Sequence, residues 1–138
     1  MSIKIAAAAA LIAAAAPAPK PVTLAETDTA LGGQPLVVPS GPLKVVATRT
    51  ELKAGAAIGT HMHLWARYVY VERGAVELTL TGSGATRTFR AGEMIVEPIG
   101  KWHSGRIVAD AVLVATEQVP PGRCNTVRPP ADGSSGDC

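Results

Sequence analysis

Short runs of apolar residues, several of them alternating with polar ones, occupy the middle of the chain and predict β-strands. Five runs show this pattern: Leu43–Leu52, Ala66–Glu72, Ala75–Thr81, Glu93–Glu97 and Ala111–Val119. Glycine, serine and proline separate them, as in Ser40–Gly41–Pro42 and Gly82–Ser83–Gly84. Because short strands at this spacing close into sandwiches or barrels, the pattern predicts an all-β fold. No stretch after the N-terminal segment has a helical period.

The N-terminal segment, MSIKIAAAAALIAAAAPAPKP, has the composition of a secretory signal peptide. Lys4 supplies the positive end, Ile5–Ala16 the apolar stretch, and alanines the small residues for cleavage. The stretch of 12 apolar residues is too short to cross a hydrocarbon layer of about 30 Å. We therefore expect residues 1–18 to be a signal peptide, and the mature protein to be periplasmic or secreted with no stable membrane insertion. An alanine-rich helix or a disordered tail is the alternative.

The only two cysteines lie near the C terminus and are consistent with export. Cys124 and Cys138 bound the 15-residue segment CNTVRPPADGSSGDC, which has no apolar periodicity and cannot build a core of its own. No histidine lies nearby to complete a metal site, so a disulfide is the preferred interpretation, as in other exported proteins. Such a bridge would stabilise the protein by about 3 kcal/mol through the unfolded state.

Length and charge limit the organisation and the partners of the chain. At 138 residues it is expected to form one domain: a lead-in with a first strand at 19–42, a barrel at 43–120 and a disulfide-closed tail at 121–138. The formal charge is only +2 and the arginines are scattered. Nucleic acid is therefore excluded as a partner, because no basic patch is present to attract it.

Three histidines supply the candidate chemistry. His61 and His63 are two residues apart, so on a strand both imidazoles would face the same way and reach one ion. His103 follows the turn EPIGKW, which ends the predicted Glu93–Glu97 strand. Two histidines paired on one strand and a third at the end of another would suit a metal ion. A His-x-His pair alone is more often structural.

Glycine spacing around the histidines strengthens the metal hypothesis. The chain resembles the cupin family, whose two motifs are G-x5-H-x-H-x3,4-E-x6-G and G-x5-P-x-G-x2-H-x3-N. Four positions match the first motif: Gly55, His61, His63 and Gly74. Four match the second: Gly92, Pro98, Gly100 and His103. The resemblance implies a single cupin-type jelly-roll barrel, or double-stranded β-helix, with one divalent ion held by the three histidines. It does not fix the function, because cupins include enzymes, storage proteins and ligand-binding domains.

The chain departs from the family pattern at the carboxylate ligand. Arg67 stands where the motif has glutamate, and Ile107 replaces the final asparagine. Three orientations of Arg67 are open: toward solvent, paired with a carboxylate such as Glu97, or toward a substrate carboxylate beside the metal. A set of three neutral imidazoles without the glutamate would leave the ion its full charge and favour an anionic ligand.

The remaining candidates concern the ligand. Four side chains are candidates for binding a small molecule: Arg67, Glu97, Trp65 and Trp102. Tyr68 and Tyr70 alternate with Arg67 and are expected outside the pocket or at the interface of a homodimer. The preferred hypothesis is an exported protein that binds a divalent metal (Fe, Zn, Cu, Mn or Ni) and a small anion. A metal-dependent, dioxygenase-like oxidoreductase and a metal-free structural or stress-related protein are the alternatives.

Overall fold

The computed structural model describes residues 18–129, which form seven β-strands and no helix. The strands are β1 Lys44–Leu52, β2 Ala57–His63, β3 Arg67–Leu80, β4 Thr86–Arg90, β5 Met94–Val96, β6 His103–Val119 and β7 Thr126–Val127. The predicted all-β fold is therefore confirmed. Residues 1–17 of the predicted signal peptide lie outside the described residues, and so does Cys138. Nothing in the described part of the chain is a helix that could cross a membrane.

Two long strands, β3 and β6, connect the two faces of the barrel. The C-terminal half of β6 pairs with β1 and with the N-terminal half of β3. The N-terminal half of β6 pairs with β2 and with the C-terminal half of β3. β5 and β4 extend the two halves of β3, and β7 extends β2. Each long strand therefore contributes to both faces, and the cavity between them holds the candidate site.

The bend that separates the two faces lies at Gly74. The register of β3 with β6 shifts between Val71 and Val76, which marks a bulge. Gly74 has φ of 79°, and a Cβ atom there would lie 2.2 Å from the Asp110 carbonyl oxygen. Only glycine fits both the positive φ and this close approach. The sequence predicted a turn between two strands at this point, but the bulge keeps them as one bent strand.

Alternating side chains of the strands fill the space between the faces. Buried core residues come from both halves of β3 and from β4, β5 and β6: Val69, Val71, Val76, Leu78, Phe89, Ile95, Ile107, Ala111 and Ala115. Full burial of a valine, leucine or isoleucine side chain contributes about 1.5–3 kcal/mol. The barrel is therefore stabilised mainly by aliphatic burial that is independent of the histidines.

Several elements differ from the sequence-based boundaries. β6 begins at His103 instead of Ala111, because its first half pairs with β2 across polar positions that hide the alternation. β4, with the sequence TRTFR, has mostly exposed side chains and gave no apolar signal. The predicted lead-in and first strand, 19–42, contains one isolated bridge between Thr29 and Pro35. The tail predicted at 121–138 contributes β7 to the sheet.

Candidate metal centre

The three histidines form a triangle between the two faces of the barrel. His61 and His63 face inward from β2, and His103 begins β6, directly opposite His61 in the antiparallel pairing. The ring centroids are 4.3 Å apart for His61 and His103, 4.9 Å for His61 and His63, and 5.2 Å for His63 and His103. All three side chains are buried. The pairing of β2 with β6 thus brings His103 next to His61 and His63.

Hydrogen bonds to Nδ1 fix which nitrogen each ring presents. His61 Nδ1 lies 2.8 Å from the Gly59 carbonyl oxygen, and His103 Nδ1 lies 2.9 Å from the Lys101 carbonyl oxygen. A carbonyl only accepts, so these Nδ1 atoms carry the proton and the neutral rings have a lone pair on Nε2. His63 Nδ1 lies 3.3 Å from Thr126 Oγ1. The rings of His61 and His103 therefore present an unprotonated Nε2, as metal-bound histidines do.

A buried carboxylate completes the cluster. Four side chains could hold a metal ion, and their ligand atoms lie within 4.8 Å of one another: His61, His63, Glu97 and His103. His63 Nε2, His103 Nε2 and Glu97 Oε2 are buried without a directed hydrogen bond among the described residues. His63 Nε2 lies only 2.9 Å from Glu97 Oε2, a separation that two ligands of one metal ion can have. Unsatisfied buried polar atoms are costly, and a cation between them would satisfy all three.

Glu97 reaches the cluster because the end of β5 is fixed to the start of β3. Its N–H donates to the Arg67 carbonyl oxygen at 2.9 Å. The sequence predicted Glu97 as a ligand-binding residue or a partner of Arg67, and not as a potential metal ligand. A carboxylate that precedes the motif proline therefore stands among the histidines, in place of the glutamate that the motif has at position 67.

Arg67 lies between two buried carboxylates. Its Nε is 3.2 Å from Glu97 Oε2, and its Nη1 is 2.7 Å from Glu117 Oε2. Glu97 and Glu117 are 8% and 9% exposed, so each needs a countercharge. Among the three orientations considered for Arg67, the structure has the carboxylate-paired one. Arg67 therefore acts as the countercharge of the cluster's glutamate.

Asn125 extends this network into the C-terminal tail. Its Nδ2 donates to Glu117 Oε2 at 2.9 Å, and its Oδ1 accepts from the Trp65 N–H at 2.8 Å. Neither Asn125 nor Thr126 was singled out from the sequence, because the tail has no periodicity. Glu117 could have been found, since it interrupts the apolar, inward-facing positions of β6 at Ala115 and Val119.

Burial and neighbouring charge shift the ionisation of the cluster. Burial lowers the pKa of His61 to about 4 and also lowers the pKa of His103. Burial alone would raise the pKa of Glu97, but His63 and Arg67 lower it below the usual value. The cluster at neutral pH therefore has neutral imidazoles at His61 and His103 and an ionised carboxylate, the forms that bind a cation.

This ionisation predicts acid sensitivity of the metal-free protein. Below pH 6.5 the unfolded chain protonates His61, whereas the folded protein resists until about pH 4. The free energy of unfolding should therefore fall as the pH drops through this interval, by at most about 1.4 kcal/mol per pH unit per histidine. Urea unfolding of metal-free protein between pH 7 and 4 measures the slope. His61→Ala should flatten it, and an unchanged slope in that variant would contradict the assignment.

The cluster forms one side of a cavity of about 370 Å³. Aliphatic side chains from both faces line much of it: Leu52, Ile58, Val69, Val76, Leu78, Ile95 and Leu113. Trp65 instead lines a separate depression with Pro35, Val37 and Ile99, and Trp102 is 36% exposed. The two tryptophans expected to bind ligand thus lie outside the residues that line this cavity, whereas Arg128, which the sequence did not single out, lies among them.

Comparison with known proteins supports the same fold. The cupin domain model matches residues 48–117, just over half of the chain. Among solved structures, the polyketide cyclase RemF from Streptomyces resistomycificus is 23% identical, with a TM-score of 0.51 over 64% of this chain and 63% of RemF. The SPY1581 protein of Streptococcus pyogenes is 21% identical, with a TM-score of 0.50 over 64% of this chain and 82% of that one.

A deletion mutant of the oxalate decarboxylase OxdC from Bacillus subtilis is 21% identical, with a TM-score of 0.51 over 59% of this chain and 23% of the decarboxylase. Identities this low show a common fold only. No curated protein matches the chain at a significant level. The family model and the shared fold agree with the motifs around Gly55, His61 and His103, and we conclude that the chain belongs to the cupin family.

Proposed function

We propose that this protein binds one divalent metal ion through His61, His63, His103 and Glu97, and binds a small anion beside it. The observation that carries the proposal is the set of buried, unsatisfied atoms, His63 Nε2, His103 Nε2 and Glu97 Oε2, around one centre. Hydrogen bonds to the Nδ1 atoms support it, because they already select the tautomer that metal binding needs. Imidazole ligands suit Fe, Zn, Cu or Ni, and the carboxylate of Glu97 extends the candidates to Mn.

Charge supports the anionic class of the small ligand. The carboxylates of Glu97 and Glu117 and the guanidinium of Arg67 together carry one negative charge. A divalent ion would leave the centre with a net charge of about +1, in a cavity whose walls are largely aliphatic. An anion that enters this cavity would therefore be attracted to the centre, since the low-dielectric walls screen the charge poorly.

A metal-dependent oxidoreductase is the second candidate. Apart from the cluster, Arg67 and Arg128, the polar side chains that line the cavity are Thr50 and Thr126. Among the described residues, the lining therefore contains no further acid or base. A bound metal would have to supply Lewis-acid or redox chemistry, while the protein's own residues bind and orient the substrate. Coordination positions that His61, His63, His103 and Glu97 do not fill would be open to reactants.

Elemental analysis of untagged protein, purified from its native compartment, tests the proposal. We expect about one metal ion per chain, removable by chelation and restored by the same metal. Turnover of a small molecule with redox cycling would favour the oxidoreductase. A chain that stays metal-free after equilibration with each of the five candidate metals would support the structural or stress-related alternative and contradict the proposal.

Export is part of the proposed function. The leader at residues 1–18 motivates it, together with the cysteine pair Cys124 and Cys138. We expect a mature chain that lacks about 15–20 residues and is two mass units lighter than its reduced form, which corresponds to one disulfide. Intact mass of protein from the native host measures both. A full-length chain with two thiols would contradict export and the bridge together.

A further inference from the structure

We propose that Arg128 binds the carboxylate of a small organic acid whose other donor group binds the metal. This inference rests on the proposed function and names the ligand class of the same site: compact dicarboxylates, with one end at the metal and one end at Arg128. It gives the anion-binding role to a residue of the C-terminal tail, which no motif of the sequence indicated.

Two of the three guanidinium nitrogens of Arg67 are already paired with the cluster's carboxylates. Its Nε and Nη1 atoms contact Glu97 and Glu117, two carboxylates that are almost fully buried. Moving Arg67 toward a ligand would leave both carboxylates without their countercharge, which is a large penalty inside a protein. The guanidinium of Arg67 is therefore committed to the framework of the cluster.

The strand register places Arg128 beside the cluster. In the antiparallel pair of β2 and β7, Thr126 lies opposite His63 and Val127 opposite Met62. The next position in this register sets Arg128 opposite His61, and opposed residues share one face of a sheet. Thr126 Oγ1, 3.3 Å from His63 Nδ1, establishes that this face is the inner one. Arg128 accordingly lines the cavity together with His61 and His63.

The charge of Arg128 is available to a ligand. Its side chain is exposed, and no ion pair joins it to a carboxylate within residues 18–129. Its planar guanidinium can donate two parallel hydrogen bonds to one carboxylate. Because Arg128 falls opposite His61 in the register of β2 with β7, the molecule that joins the metal to Arg128 spans only a short distance, and the aliphatic walls of the cavity suit a carbon chain between its two ends.

Titration of metal-loaded protein with malonate, succinate and acetate tests the inference. Acetate can occupy only one end, whereas the two dicarboxylates can reach both. We expect Arg128→Gln to weaken the better-binding dicarboxylate by about 10- to 100-fold, the loss of a charge-assisted bidentate contact. Acetate binding should change by less than about threefold. The metal content and metal affinity should stay at the wild-type level.

Arg123→Gln is the matched control, because Arg123 is an exposed arginine of the same tail that does not line the cavity. Equal weakening in both variants, or none in Arg128→Gln, would overturn the assignment while metal binding by the wild type stands. Wild-type protein that binds metal but none of the three acids would also overturn the Arg128 assignment and leave metal binding standing. Wild-type protein that binds no metal would overturn the proposed function and this inference together.

Discussion

Replacing His61 and His63 together with alanine should abolish metal binding and leave the barrel folded. Loss of an outer contact to a metal ligand alone costs about 10–100-fold in affinity, so loss of two ligands should exceed about 1,000-fold. The core that surrounds Val71, Val76 and Ile107 does not include either imidazole and should keep the strands in place. Metal affinity by competition with a chelator, with far-UV circular dichroism for the fold, measures both effects.

Met62→Ala is the matched control for this double variant. Met62 lies between the two histidines on β2 and faces the other side of the strand. We expect its metal affinity to stay within a few-fold of the wild type. If the double variant keeps one metal ion per chain, then the cluster of His61, His63, His103 and Glu97 is not the metal site.

Replacing Arg67 with glutamine should strongly destabilise the metal-free protein. Glu97 and Glu117 would lose the guanidinium between them and remain buried. We expect a loss of about 3 kcal/mol, the lower end of the range for a broken buried pair, because Arg67 is itself partly exposed. Metal should restore part of this loss, since a dication replaces the missing positive charge. Urea unfolding with and without bound metal measures the difference.

Arg49→Gln provides the control, since Arg49 also contacts two glutamates, Glu51 and Glu72, but at the surface. Exposed pairs contribute about 0–1 kcal/mol, so its effect should be small. The double variant Arg67→Gln with Glu117→Gln should recover stability. Equal losses of unfolding free energy in Arg67→Gln and Arg49→Gln would contradict the prediction, because they would show that burial of the glutamates does not strengthen the contribution of Arg67. Arg67→Glu, which would restore the motif's residue, should instead add a third carboxylate and destabilise further.

The sequence predicted the fold and the three histidines, because both depend on local spacing. Histidines two positions apart on one strand, and glycines at fixed distances from them, are visible without any knowledge of tertiary contacts. The strand β2 contains His61 and His63 and was expected only through them, because Ile58 is the only large apolar residue among its first four. Boundaries were inaccurate at the start of β6, which begins at His103 instead of Ala111, and at the bulge around Gly74, where one bent strand resembles two.

The carboxylate of the cluster could not be assigned from spacing alone. Glu97 follows β5 and Arg67 begins β3, and only the antiparallel pairing of these strands brings their side chains together. Glu117 and Asn125 join them from more distant positions of the chain. The sequence offered Arg67 and Glu97 as a possible pair, but Glu117 and Asn125 depend on long-range contacts and look like ordinary strand and tail residues in the sequence.

The two-residue strand β7 has a consequence for how quickly the site exchanges its ion. β7 lies at the edge of the sheet and pairs with β2 alone among the described strands. Short edge pairs open locally far more often than a whole barrel unfolds. Each such opening releases Thr126 from His63 and Asn125 from Glu117 while the core stays intact. The lifetime of a bound ion should therefore follow the rate at which the β2–β7 pair opens, so that capture and release remain fast even where equilibrium affinity is high.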